Sequence, residues 1–129
     1  MKKIFFTLAI LAFIGGIALM SFGLDDNAAS SSSNDKVYFA NGKQIVEIDA
    51  KGGYWPRTTI AKADTPTIIK FKTKGTFDCS SAVAIPSLNY RTILSPSGET
   101  IVNVPPQKRG AELAGSCSMG MYGFIVKFN

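Results

Sequence analysis

An all-β domain of two packed sheets and about seven strands, preceded by one transmembrane helix, is the fold that this sequence predicts. Three observations point to it. Short runs rich in β-branched and aromatic residues recur between Gly and Pro punctuation. No segment of residues 36–129 carries a sustained 3.6-residue apolar period with helix caps. An uncharged apolar run stands apart at the N-terminus.

That N-terminal run comes first. Lys2 and Lys3 precede residues 4–24, which hold no charge and only Thr7 and Ser21 as polar side chains. At ~1.5 Å rise per residue, such a run crosses a bilayer core of ~30 Å. It exceeds the about 7–15 residues of a signal h-region, and its best exit, Asn27-Ala28-Ala29, is a poor cleavage site. Residues 1–25 are therefore expected to be a membrane anchor rather than a removed signal, lying in membrane lipid. Lys2 and Lys3 stand before it, and Asp25, Asp26 and Asp35 follow with no cation before Lys36. Cationic flanks stay cytoplasmic, so the domain is expected outside, on a single-pass protein of the cell membrane. Residues 26–35, dominated by Ser, Asn and Ala, form a flexible linker.

Residues 36–129 make one folded unit with room for a single core. The expected strands are 44–49, 58–61, 67–72, 81–85, 91–94, 100–104 and 122–128. Pro56, Pro66, Pro86, Pro96, Pro105 and Pro106 fall at or near the ends of these runs. Phe124, Val126 and Phe128 alternate with Ile125 and Lys127, the period of a strand with one buried face. Short strands at this spacing indicate a sandwich.

Charge narrows the partners. The unit carries twelve Lys/Arg against six Asp/Glu, a net +6. A basic surface beside a membrane suits anionic headgroups, an acidic protein or an anionic polymer, and equally a merely solvated face. Nucleic acid is not expected, because the cations are scattered, with no basic helix and no aromatic RNA-binding motif.

The chemistry concentrates in Cys117-Ser118-Met119-Gly120-Met121, three soft sulfur donors in five residues of a chain without histidine. Thiolate and thioether select Cu(I), and the missing imidazole removes the usual route to Cu(II) or catalytic zinc. The second cysteine is Cys79. In an oxidising compartment the pair would form one structural disulfide. A disulfide, however, needs no methionine nearby, and Met119 and Met121 are the only methionines of residues 36–129. If the stretch is extended, positions 117, 119 and 121 share one face. Metal binding is the favoured reading, and the disulfide remains the alternative. A blue-copper electron carrier would need two imidazoles. An enzyme is not expected, for want of a histidine base, a phosphate loop or an oriented nucleophile.

Gly53-Tyr54-Trp55-Pro56, Ile60-Ala61-Lys62-Ala63, Pro66-Thr67, residues 71–79 ending in Phe77-Asp78-Cys79, Ile85-Pro86-Ser87-Leu88 and Cys117-Ser118-Met119-Gly120-Met121-Tyr122 together resemble small bacterial cupredoxin-like copper domains. The likeness is to the CupA-like membrane-anchored Cu(I) chaperones and to the similar N-terminal metal-binding domain of copper-exporting P-type ATPases. It covers residues 43–129 and includes the anchor. It implies a cupredoxin-like Greek-key β-sandwich, and a sulfur-rich centre for up to two Cu(I) ions held by Cys79, Cys117, Met119 and Met121. It also implies a copper-exporting P-type ATPase as acceptor. Asp78 reads as a solvated turn residue. The alternative from another class is a disulfide-stapled cell-surface sandwich that binds wall polymer or protein through Tyr38, Tyr54 and Trp55.

Overall fold

Strands form where β-branched and aromatic residues cluster, and alternation then decides which side chains go inward. In the segment 43–50, Val46, Ile48 and Ala50 are buried while Glu47 and Asp49 are partly exposed; in 67–73, Ile69 and Phe71 are buried between Ile68, Lys70 and Lys72. The computed structural model of the protein describes residues 36–129. The anchor and linker expected at 1–25 and 26–35 lie outside the described residues. Among the described residues no helix is long and apolar enough to cross a membrane.

The strands are β1 (Val37–Ala40), β2 (Lys43–Ala50), β3 (Tyr54–Trp55), β4 (Thr58–Ala61), β5 (Thr67–Thr73), β6 (Ala82–Ile85), β7 (Tyr90–Ile93), β8 (Gly98–Val104), β9 (Glu112–Cys117) and β10 (Gly123–Phe128). One sheet runs β1-β2-β5-β8 with β3 paired to β2, and the other runs β4-β10-β9-β6-β7. The β2–β5 and β4–β10 pairs are parallel and the rest antiparallel. Because β4 belongs to the second sheet and β5 to the first, the chain crosses between sheets early. It crosses again before β6, β8 and β9.

Among the described residues ten strands replace the expected seven, and the reasons are local. β9 is Glu-Leu-Ala-Gly-Ser-Cys, too poor in β-branched residues to announce itself, yet Leu113, Gly115 and Cys117 alternate inward. β3 has only two residues. β1 leaves Tyr38 and Phe39 exposed and pairs with β2 along Val37–Ala40.

The core lies between the sheets. Val46, Ile48, Ile69, Phe71, Val102 and Val104 meet Val83, Ile85, Leu113, Phe124, Val126 and Phe128. At its centre Tyr54, Phe71 and Phe124 pack edge to face, with centroids 5.2–6.2 Å apart. Phe124 sits directly opposite Gly115 on β9, and a Cβ at Gly115 would overlap the Phe124 ring. Glycine is required there by close approach. Gly115→Ala is expected to destabilise the domain by about 1–3 kcal/mol, since Phe124 is enclosed and cannot yield without repacking its two aromatic neighbours. Urea unfolding of both proteins measures the difference.

Candidate metal centre

Cys79 and Cys117, 38 residues apart in sequence, come together at one end of the sandwich. Cys117 closes β9 on its inward face, in register with Val83 of β6 and 1% exposed. Cys79 opens a short 3₁₀ turn, Cys79–Ser81, that leads into β6. It is partly exposed and packs against the core. The Cα atoms are 5.8 Å apart and the two sulfurs are joined as a disulfide.

The Cys79 turn is held by Asp78. Its Oδ1 accepts from the Ser80 N–H at 2.7 Å and from the Ser80 hydroxyl, and its Oδ2 accepts from the Gly52 N–H at 2.9 Å. The hydroxyl of Ser81 donates to the Asp78 carbonyl at 2.8 Å, and the Leu94 N–H donates to Ser81 at 2.7 Å. One carboxylate thus caps the turn and ties it to the loop after β2. The Ser80 hydroxyl and the Gly52 and Ser80 N–H groups hold the Asp78 carboxyl below its ordinary value of 3.8, because they stabilise the anion. Asp78 is exposed, as expected of a turn residue, but it also organises the turn. An Asp two residues before Ser80 is the signature that could have revealed this.

The residues after Cys117 are not extended. The Gly120 N–H donates to the Cys117 carbonyl at 2.9 Å, and the Cys117 N–H donates to the Tyr122 carbonyl at 3.0 Å. Gly120 adopts φ +72°, a left-handed conformation that a residue with a side chain rarely takes, and so closes the β9–β10 hairpin. The expectation that positions 117, 119 and 121 share a strand face is therefore corrected. Cys117 points into the core, whereas Met119 and Met121 lie in the hairpin loop, 78% and 67% exposed. The structure brings the two cysteines together and places both methionines on the loop that leaves Cys117.

Tyr54, which the wall-binding alternative would need on the surface, is buried. As the first residue of β3 it turns inward onto Phe71 and Phe124, while Trp55 turns outward beneath the Arg57 guanidinium at 4.6 Å. The Tyr54 hydroxyl has no hydrogen-bond partner among the described residues, and burial, with the nearby Asp78 charge second, pushes it up to about 12. Tyr38, the third aromatic of that set, donates from its hydroxyl to Glu47 at 3.0 Å. Among the described residues, no three His, Cys, Asp or Glu side chains converge.

The model of the cupredoxin-like domain matches residues 13–126. The chain belongs to the cupredoxin-like family. Among solved structures it is similar to the Cu(I)-bound metal-binding domain of the Cu(I)-exporting P-type ATPase CopA of Streptococcus pneumoniae D39. That match has TM-score 0.62 and 21% identity over 72% of this chain and 92% of that one. It is also similar to a copper-binding protein solved by NMR in its apo form, with TM-score 0.64 and 24% identity over 72% and 94% of the two chains. At these identities the likeness is one of fold. Comparison with curated proteins yields no match.

Asp78→Ala is expected to lower stability by about 1 kcal/mol at neutral pH, through loss of the cap. A depressed carboxyl stabilises the fold above its ordinary value and loses that contribution as pH falls through the folded value. The gap between wild type and variant should accordingly shrink in acid, below pH 3.8. Denaturation midpoints measured from pH 7 to pH 2 check this; a gap that persists unchanged at the acid end speaks against it.

Proposed function

We propose that this cupredoxin-like protein binds Cu(I) through Cys79 and Cys117, with Met119 and Met121 as further donors, and passes the ion on as a CupA-like metallochaperone in copper resistance. The observation that carries the reading is the convergence of the chain's two cysteines beside a Met-Gly-Met loop. All four donors are soft sulfur, which suits Cu(I), and their reduced form is the one that would bind it. Up to two ions can be shared by two bridging thiolates and two thioethers. The copper-binding proteins of similar fold support the same class of cargo.

The uneven burial of the donors suggests how an ion leaves. Thioethers are weak neutral ligands, and here they stand on an exposed hairpin loop, so an incoming thiolate can displace one without disturbing the core. The thiolates hold the ion until last. The ion is passed to a copper-exporting P-type ATPase where the domain faces inward, or buffered at the membrane where it faces outward. The copper is cargo, and an enzymatic activity forms no part of the proposal.

The joined sulfurs favour a second reading, a disulfide-stapled surface domain that binds wall polymer or protein. Competition for Cu(I) with a chromogenic chelator separates the two after reduction of the pair. The chaperone reading expects Cys79→Ser and Cys117→Ser each to weaken binding more than about a hundredfold, and Met121→Val to lower the number of ions held. Reduced wild type that leaves all Cu(I) with the chelator supports the stapled domain.

The N-terminal segment is proposed as an uncleaved anchor, with residues 26–35 as tether and residues 36–129 on the outer face of the cell membrane. There the protein would capture or buffer copper at the surface, whereas loading an ATPase domain would require the inner face. A reporter active only outside, fused after Asn129, is expected to give signal; signal solely from a cytoplasmic reporter reverses the orientation.

A further inference from the structure

The same few residues that suit a Cu(I) holder also carry the electrons needed to make Cu(I). Cys79 and Cys117 have Cα atoms 5.8 Å apart, and the backbone on each side is fixed by contacts that involve no sulfur. Asp78 and the Leu94 to Ser81 hydrogen bond hold the Cys79 turn; the Ser118 N–H, donating to Ala82 at 2.9 Å, and the Val83 register hold Cys117. The pair can pass between dithiol and disulfide with little backbone movement. Closure is intramolecular, so each thiol meets the other at an effective concentration on the order of mM or above.

The surroundings favour the lower oxidation state of copper. The chain contains no histidine, hence no imidazole to favour Cu(II). The soft donors that remain when both thiols are spent are the exposed thioethers of Met119 and Met121. Cys79 is partly exposed and Cys117 is enclosed, so an arriving ion meets Cys79 first.

We propose that the reduced pair is a two-electron donor that converts Cu(II) to Cu(I), with Met119 and Met121 receiving the product. Two Cu(II) ions each take up one electron. The thiols of Cys79 and Cys117 lose two electrons and release two protons, and one sulfur–sulfur bond forms between them. No oxygen enters. A small thiol reductant, two RSH becoming RSSR, breaks that bond and restores the pair. A disulfide between Cys79 and Cys117, which the 5.8 Å Cα separation accommodates, is the product of this step. It differs from blue-copper electron transfer because the sulfur is spent while the metal does not cycle. The inference rests on the reading of the site as Cu(I)-binding.

The full-length chain, reduced and freed of reductant without oxygen, is titrated with copper(II) sulfate and followed by electron paramagnetic resonance. The cupric signal of the first two equivalents is expected to vanish and that of a third to remain. Both thiols should disappear from a chain that stays monomeric, and the methyl resonances of Met119 and Met121 should shift. Cys79→Ser or Cys117→Ser should slow the loss of signal about a hundredfold, because the remaining thiol must find a second molecule. A persistent cupric signal, surviving thiols or covalent dimers in the wild type overturn the proposal, and unshifted methyl resonances overturn the receiving role of the methionines. A parallel titration with Cu(I) keeps the two readings apart. Reduced protein that binds Cu(I) but leaves Cu(II) unreduced refutes only the electron donation, whereas failure to bind Cu(I) refutes the site itself.

Discussion

The Phe124 ring lying over Gly115 is the contact on which the rest of this domain depends. It joins β9 and β10 at a spacing that only a residue without a side chain permits, and it completes the aromatic cluster with Tyr54 and Phe71 that draws the two sheets together. Inward positions on β9 recur at every second residue, so the register that seats Gly115 under the ring also turns Cys117 into the core. A one-residue slip would expose Cys117 and break the meeting with Cys79. Core packing and site geometry are here one constraint.

The second cysteine is placed by a different kind of force. Cys79 belongs to no strand; it rides a single 3₁₀ turn whose exposed end is organised by the Asp78 carboxylate. Hydrophobic burial thus sets one sulfur and polar capping the other. The methionines answer to neither, since their loop is shaped by the left-handed Gly120 and leaves their side chains in solvent. Rigid thiols beside loosely held thioethers is a division suited to keeping an ion while leaving a way out.

Much of this was legible in the chain, and the parts that were not have physical reasons. The strands carried by Ile45-Val46, Ile68-Ile69 and Phe124-Val126-Phe128 could be read because β-branched and aromatic residues alternate there. The small residues of β9 hid it, although Leu113, Gly115 and Cys117 keep the same period, and β3 is too short to show any period at all. The sulfur residues of the candidate site could be listed from sequence, but their arrangement could not. Whether residues 117–121 run straight or turn is decided by a single glycine dihedral and two backbone hydrogen bonds. Tyr54 shows the same limit: the residues beside it, Trp55 and a Gly-Gly turn, are compatible with either packing or display, and only the fold brings Phe71 of its own sheet and Phe124 of the opposite sheet against it.

The span between the cysteines has a thermodynamic side. A bond across 38 residues encloses β6, β7, β8 and nearly all of β9, and a loop of that size, when tied, removes about 3–5 kcal/mol of freedom from the unfolded chain. A Cu(I) ion bridging both thiolates would tie the same loop. On the proposed function, cargo and cross-link are therefore interchangeable fasteners. The oxidised and the loaded protein are both buttoned, and the reduced, empty one is the loosest of the three. Surrendering copper costs the donor its own fastening, so release to an acceptor is opposed by the donor's folding energy as well as by its ligands.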